Sequence, residues 1–295
     1  MMTDLAKPRL DWTNTLFLGF SHLMALGGVY WLIFHWSWPI FLGAVAWFGM
    51  CGLSITGGYH RLFSHPTYKA IWPLRMFYLL FGAASVQNSA LKWSADHRIH
   101  HKFADQERDP YNINRGFWWA HIGWVLCQAP SKVDLSIVSD LQKDRLVMSQ
   151  HNHYVWWAVM GGAILPALVG WAFGDPIGGV LVIGFLRLVV QWHATFSINS
   201  VAHSIGSQPY DTESTSRDSW ITAILTLGEG YHNFHHRFQG DYRNGVRWYH
   251  LDPTKWFVYS MSKVGVTRDL RRVSQEVIDR AKESVRKQDK NPTAA

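Results

Sequence analysis

Charged residues are almost missing from two long stretches of this sequence. Residues 12–60 contain no Asp, Glu, Lys or Arg, and residues 146–210 contain only Asp175 and Arg187. Charged residues make up 17% of the 295-residue chain, against about a quarter in an average soluble domain. Because ~20 apolar residues cross a hydrocarbon core about 30 Å thick, each stretch is long enough for two membrane helices. An ordinary soluble protein is therefore excluded.

Cysteine is also scarce. Cys51 and Cys127 are the two cysteines of the chain, and both lie in apolar surroundings. This excludes a disulfide framework and a cysteine-ligated iron–sulfur cluster, and it is typical of a protein with a reducing cytosolic face. A Gly-rich dinucleotide fingerprint is missing too. The start of the chain carries charges and a proline but no small-residue cleavage site, so we expect no removable signal peptide.

Four membrane spans are predicted, at roughly 14–34, 38–58, 154–173 and 177–199. The short connections within each pair contain no Lys or Arg, whereas basic residues such as Arg9, Arg61 and Arg75 lie on the other side. The positive-inside rule then predicts that both termini lie in the cytosol. The expected fold is an all-α integral membrane protein, a single domain over 1–295, with a cytosolic helical cap built from about 59–153 and 200–295.

One further segment, Met76 to Leu91, is uncharged and apolar. If it spanned the membrane, the histidines before and after it would face opposite sides, some 30 Å apart. Since ligands of a shared metal site lie ~2.0–2.1 Å from the ion, that topology is incompatible with one centre. We therefore expect a surface-lying or re-entrant helix here.

Histidine is abundant, and half of the histidines lie in three short clusters. The chain has 16 histidines, and three short motifs hold eight of them: His60-Arg-Leu-Phe-Ser-His65, His97-Arg-Ile-His100-His101 and His232-Asn-Phe-His235-His236. Neutral imidazole is a common ligand of zinc, iron, copper and nickel. Eight are too many for a mononuclear site, so the motifs predict a polynuclear, most simply dinuclear, metal enzyme.

The spacing within the motifs indicates how they are built. His97 and His101 fall on one helical face, with His100 one turn from His97, and the third motif repeats this spacing. His60 and His65 are five apart, too wide for one face of an α-helix, so we place them where the second span unwinds. His203, near the end of the fourth span, is a ninth candidate. An ordinary core or surface role is expected for the other histidines: His22, His35, His121, His151, His153, His193 and His250. Ligand type alone does not select the metal.

The three histidine motifs, together with Asn199-Ser-Val-Ala-His203, resemble the integral-membrane fatty acid desaturases, most closely the stearoyl-CoA desaturase branch. The resemblance runs from about Trp12 to Arg272. It implies a di-iron centre and an O2-dependent reaction that introduces a cis double bond at the Δ9 type of position in a saturated acyl chain. One iron would be held by His60, His65, His97, His101 and His235. The other would be held by His100, His203, His232 and His236, with Asn199 reaching it through water.

The resemblance also implies a bent acyl tunnel beside the irons. Gln87, Trp93 and Thr195 match residues that shape the bend, and Phe48 and Gly52 match positions that limit chain length. Asn14, Asn88 and Asp96 match residues that hold the coenzyme A headgroup or the acyl carbonyl region.

The acyl carrier is left open by the sequence. The animal enzymes have basic residues where this chain has Thr13, Ala95, Gln128 and Ala129, and phosphate groups are normally met by cationic side chains. An acyl-CoA is the first expectation. A membrane glycerolipid, or a thioester held by Lys92 or Lys132, is the alternative.

Two other functions fit parts of the pattern. A histidine-box hydroxylase shares the chemistry, but the third motif and the Asn199/His203 pair favour desaturation. A metal transporter or storage protein should carry histidines within its spans, whereas these motifs lie outside them.

Since the assigned residues leave no room for a haem or flavin domain, we expect electrons from a separate carrier on the cytosolic face. We expect membrane lipids to surround the protein, and we do not expect it to bind nucleic acid.

Overall fold

The computed structural model describes residues 9–127 and 134–290. Four helices in this part of the chain are long and apolar enough to cross a membrane: Trp12–Phe34, Trp38–Ser64, Tyr154–Ala172 and Pro176–His203. This confirms the predicted all-α membrane fold with four spans. The second and fourth helices continue beyond the predicted ends near 58 and 199, and these extensions carry histidines out of the apolar bundle.

Three of the four membrane helices contain π-helical turns. In the second helix, Trp38–Leu53 is α-helical and Ser54–Ser64 is π-helical; in the third, Met160–Ile164 lies between Tyr154–Val159 and Leu165–Ala172. The fourth runs through Pro176–Gly178, the π-helix Gly179–Leu186, Arg187–Ser200 and the 3₁₀ turn Val201–His203. The expectation that the second span unwinds at His60 is wrong, because the helix continues to Ser64 with a wider turn.

The first and fourth membrane helices pack closely because Gly28 has no side chain. A Cβ atom there would lie 2.6 Å from the Leu181 carbonyl oxygen, closer than a methyl group can approach. The same two helices are tied at one end by a hydrogen bond of 2.9 Å from Trp31 Nε1 to Asp175 Oδ2. Small residues at helix contacts are typical of membrane bundles.

The segment Met76 to Leu91 does not form a span. A helix of 12 residues, Trp72–Ala83, ends before a turn in which Val86 and Asn88 have positive φ angles. Its inner face buries Leu74, Tyr78 and Leu79. The next helix, Ala90–Lys102, begins after Ser89, whose hydroxyl accepts a hydrogen bond from the Lys92 N–H.

In the described residues, the cap is made of short helices and one pair of strands. Besides the two helices just described, it contains the helices Trp124–Leu126, Ser139–Gln142, Arg145–Asn152, Trp220–Leu225, His232–Arg237, Pro253–Lys263 and Gln275–Lys290, the 3₁₀ turns Ile113–Arg115 and Leu135–Val138, and the π-turn Trp119–Gly123. Strands Lys69–Ala70 and Thr267–Arg268 pair antiparallel, with Lys69 opposite Arg268. The helix Gln275–Lys290 buries Ile278 against Phe234 and Phe238, which fixes the helix that carries the third histidine motif.

Candidate metal centre

Nine histidines come together in two groups. The first group consists of His60, His65, His97, His101 and His235, and the second of His100, His203, His232 and His236. In each group one ring nitrogen per residue lies within 4.8 Å of all the others. The structure thus divides the nine candidates in the same way as the two ligand sets implied by the family resemblance.

Two short helices each contribute to both groups. On Ala90–Lys102, His97 and His101 are one α-helical turn apart and join the first group, whereas His100 points to the second. On His232–Arg237, His232 and His236 are one turn apart and belong to the second group, whereas His235 belongs to the first. Because each helix lies between the two groups, their relative position is fixed by ordinary helical geometry.

The π-helical turn brings His60 and His65 to the same group. The His65 N–H donates to the His60 carbonyl oxygen at 3.1 Å, which is the i to i+5 bond of a π-helix. Residues five apart therefore share a face here, although they would not in an α-helix.

The protonation pattern of the histidines fits metal binding. His60 Nδ1 lies 2.7 Å from Glu229 Oε2, and His100 Nδ1 lies 2.9 Å from Asp109 Oδ1. Carboxylates only accept hydrogen bonds, so each of these imidazoles keeps its proton on Nδ1 and directs an Nε2 lone pair into its group. Successive Nε2 atoms within the groups are 2.8–3.2 Å apart. Two nitrogens held at right angles, ~2.1 Å from one ion, would be separated by about 3.0 Å.

Burial keeps the imidazoles in the form that binds metal. Desolvation, together with repulsion from neighbouring histidines, lowers the pKa of His97, His101 and His235 well below the usual value of 6.5. The pKa values of His232 and His236 are lowered in the same way. These side chains are therefore neutral at physiological pH, and neutral imidazole is the ligand form.

Sequence reasoning missed the acidic residue behind the first group. Glu229 is buried, and its carboxylate contacts His60 Nδ1 at 2.7 Å and Arg61 Nη2 at 2.8 Å. Burial alone would raise the pKa of this carboxyl, but the hydrogen bonds from His60 and Arg61 and the charge of Arg61 lower it to about 2. Glu229 precedes His232 by three residues, the Glu-x-x-His spacing of soluble di-iron bundles. That spacing could have identified Glu229 from the sequence. Here, however, its carboxylate contacts the histidine His60 and does not point into the group of metal-binding nitrogens.

The second group has its own acidic residues, on the loop after the helix Ala90–Lys102. Asp109 contacts His100 Nδ1. His203 Nδ1 lies 2.7 Å from the Thr215 hydroxyl, which in turn donates to Asp105 Oδ1 at 2.6 Å. No motif in the sequence signals these two carboxylates.

The three residues expected at the tunnel bend are joined to one another and to the first group. Gln87 Nε2 donates to Thr195 Oγ1 at 3.0 Å, and Trp93 Nε1 donates to Gln87 Oε1 at 3.4 Å. The Trp93 ring is stacked on His97, with 4.9 Å between ring centroids. A continuous chain of side chains therefore connects the first group with the fourth membrane helix, where the half-buried Asn199 lies one turn before His203.

The other expected substrate residues are more scattered. Asn14 is exposed and donates from Nδ2 to the Val125 carbonyl at 3.0 Å, and Asn88 is exposed in the turn before Ser89. Asp96 lies 3.8 Å from Lys92 Nζ, and burial raises its pKa to about 6 against the charge of that lysine. Gln128, Ala129 and Lys132 lie outside the described residues.

The two positions expected at the closed end of the tunnel lie on the second membrane helix. Phe48 is half-buried and Gly52 is fully buried. A Cβ atom on Gly52 would lie 2.4 Å from Leu227 Cδ1, the tip of a flexible side chain. Because Gly52 has no side chain, the Leu227 side chain can lie against the second membrane helix at this position.

The remaining histidines do not converge in the same way. His193 Nε2 faces His22 Nε2 and its Nδ1 faces His121 Nε2, both at 3.0 Å. Since the two nitrogens of His193 point to different partners, these three rings form a row rather than a ligand set. His35 and His153 are exposed.

The architecture defines a class: a four-helix membrane protein with two adjacent histidine groups suited to a dinuclear metal centre. The chain belongs to the fatty acid desaturase family, whose model matches residues 36–263. It is 48% identical to acyl-CoA desaturase 1 of Saccharomyces cerevisiae, over 82% of this chain and 48% of the relative. It is 36% identical to human stearoyl-CoA desaturase, over 92% of this chain and 78% of the relative.

The lengths of these proteins differ. A further relative from Schizosaccharomyces pombe is 45% identical over 88% of this chain but 54% of its own length. The chain therefore spans about half the length of the two yeast relatives that it matches.

Proposed function

We propose that this protein is an O2-dependent acyl desaturase that introduces a cis double bond of the Δ9 type into a saturated fatty acyl chain. The observation that carries the proposal is the division of nine histidines into two groups, with the Trp93–Gln87–Thr195 chain of contacts beside the first. The histidines supply the redox site, and the adjoining contacts supply a surface against which an acyl chain is held.

The nine histidines would hold two iron ions, with Asn199 contributing through a bound water. When bound, the irons supply the dioxygen activation that breaking an unactivated methylene C–H bond requires. The overall reaction takes two hydrogen atoms from adjacent methylenes, O2, two electrons and two protons, and gives one alkene and two waters. The choice of iron rests on the family, since imidazole ligation alone suits several metals.

The protein's own residues would position the substrate. Trp93, Gln87 and Thr195 hold one another by hydrogen bonds, so their positions are fixed before the substrate binds. A rigid bend determines which two carbons lie beside the metal groups and holds them in the eclipsed geometry that gives a cis product.

An acyl-CoA is the proposed substrate, supported by the names of the relatives. Lys92 is a basic residue of the expected headgroup region, since it pairs with Asp96 at 3.8 Å. Parallel assays with an acyl-CoA and with a phospholipid that carries the same acyl chain would decide the carrier. Conversion of the phospholipid alone would favour a lipid-linked substrate.

Electrons would enter from a separate carrier at a surface depression of about 610 Å³. Its lining includes two residues of the first group, His65 and His101, the exposed Lys102, and Arg98, which is paired with Asp140 at 2.7 Å. A carrier with an acidic face would dock here and approach the first group directly. Such docking and the positive-inside rule both support a cytosolic position for the cap and the two termini. Reduction by such a carrier should slow at high ionic strength; a rate independent of salt would argue against this surface.

The test of the main proposal is product analysis. The chain is expressed with a redox partner in a host without its own desaturase, and fatty acids are analysed by gas chromatography and mass spectrometry. A new cis monoenoic acid is expected from the wild type and none from His101→Ala. Hydroxy acids would favour a hydroxylase, and no product from iron-loaded, reduced protein would refute both activities.

A further inference from the structure

The two histidine groups differ in the charge placed behind them. Glu229, behind the first group, contacts the Arg61 guanidinium, which also contacts Asp252. Behind the second group stand Asp105 and Asp109. Within residues 9–127 and 134–290, neither has a Lys or Arg nitrogen within 4.0 Å, and their ionic contacts are to His203 and His100.

We propose that Asp105 and Asp109 are positioning residues that make the two metal sites inequivalent. They hold His203 and His100 with the proton on Nδ1, and they place two uncompensated carboxylates beside the second site. The metal in the second group is then oxidised at a lower potential than the metal in the first. This inference rests on the metal-binding part of the proposed function and not on the substrate.

The first step of the argument is orientation. A histidine that donates its Nδ1 proton to a carboxylate is held in one tautomer and is a more basic ligand through Nε2. Asp109 does this directly for His100 at 2.9 Å. Asp105 does it through Thr215, because the Thr215 hydroxyl accepts from His203 and donates to Asp105.

The second step is rigidity. The Asp105 N–H donates to Asp109 Oδ2 at 3.1 Å, and the Tyr111 N–H donates to Asp109 Oδ1 at 3.1 Å. Asp105 also accepts the Thr215 N–H at 2.8 Å. The two carboxylates therefore belong to one hydrogen-bonded loop and cannot turn away from the histidines independently.

The third step is charge. A negative charge close to a metal stabilises the higher oxidation state more than the lower one, and the effect is large where water is excluded. Asp109 is 2% exposed. At the first group Glu229 and Asp252 share the Arg61 guanidinium, so the charge of Glu229 is partly offset and the stabilisation there is weaker than beside two carboxylates without a cationic partner.

The experiment uses full-length protein in detergent, loaded anaerobically with ferrous ⁵⁷Fe. Bound iron is counted by mass spectrometry, and the two sites are followed by Mössbauer spectroscopy during a redox titration. For Asp109→Asn we expect one site to lose affinity 10- to 100-fold. If iron still fills that site, its oxidation equilibrium constant should change at least tenfold, which corresponds to a midpoint potential about 59 mV higher. Glu229→Gln should affect the other site.

Matched variants separate this effect from misfolding. Glu107→Gln removes the same charge from an exposed position of the same loop and should behave as the wild type. Thr215→Val breaks the link from His203 to Asp105 and should weaken the second site, and Thr215→Ser should restore it. Equal effects of Asp109→Asn on both sites, or a wild-type titration in Thr215→Val, would overturn the inference. An inactive protein that still shows two such sites would contradict the desaturase proposal alone.

Discussion

The His65 N–H donates to the His60 carbonyl oxygen at 3.1 Å across a π-helical turn. This hydrogen bond explains how two histidines five residues apart can belong to the same histidine group. The turn ends a stretch, Ser54–Ser64, in which every residue is buried. Its geometry therefore depends on what packs against the second membrane helix.

Gly58→Ala should disturb this turn. A Cβ atom at Gly58 would lie 2.6 Å from Tyr78 Cβ, and an atom so close to the Tyr78 backbone cannot move aside. Overpacking of this kind typically costs about 1–3 kcal/mol. We expect a lower melting temperature and loss of metal from the first group.

The matched control is Gly49→Ala, on the same membrane helix. No heavy atom lies within 4 Å of a Cβ atom placed there, so this variant should keep its melting temperature and metal content. Thermal unfolding in detergent and iron analysis measure both. If the two variants behave alike, packing against Tyr78 does not maintain the turn.

His203→Ala should remove the metal of the second group and leave the first. His203 Nε2 is 3.1 Å from His232 Nε2, and the residue is 5% exposed, so no other side chain or bulk water replaces the lost ligand. Bound iron is expected to fall from two ions to about one, with loss of activity, whereas the exposed His153→Ala should change neither. Full iron content in His203→Ala would exclude His203 from the ligand set.

The spans and the three histidine motifs could be predicted from the sequence because both depend on strong local patterns. Long uncharged runs define membrane helices whatever their neighbours are, and the i, i+3, i+4 spacing of His97, His100 and His101 places ligands on known helix faces. The division of the nine histidines into two groups, including the assignment of His203 to the second, came by contrast from the family resemblance.

What could not be predicted depends on contacts between distant segments. Asp109 and Asp105 carry no motif, and their role is visible only because a loop folds back onto His100 and Thr215. The π-helix at His60 was missed because the helical spacing was judged by the α-helical period, in which residues five apart do not share a face. The Glu229–His232 spacing was visible, but its meaning depends on Arg61, 168 residues away.

Thr195→Val should impair positioning of the acyl chain without loss of metal. The Thr195 hydroxyl accepts from Gln87 Nε2 at 3.0 Å, and valine keeps the shape but leaves the Gln87 amide without this partner. An unpaired donor costs about 1–3 kcal/mol when fully buried, and Gln87 is half-buried, so the cost here should be smaller. We expect at least tenfold lower activity or a mixture of double-bond positions. Thr195→Ser retains the hydroxyl and should restore one product; an unchanged product pattern in Thr195→Val would mean that this bond does not shape the bend.

Gly52→Ala should shorten the acyl chain that the protein prefers. The added methyl group would lie 2.4 Å from Leu227 Cδ1, so the Leu227 side chain must move into neighbouring space. If that space is the closed end of the tunnel, stearoyl-CoA should lose about tenfold in relative rate against palmitoyl-CoA, a typical effect for displaced methylenes in an apolar pocket. Competition between the two thioesters, with products counted by mass spectrometry, measures the ratio. Gly49→Ala is again the control, and Gly52→Ala combined with Leu227→Ala should recover the original preference because room is returned. An unchanged ratio in a Gly52→Ala protein that holds both metals would place the closed end of the tunnel elsewhere.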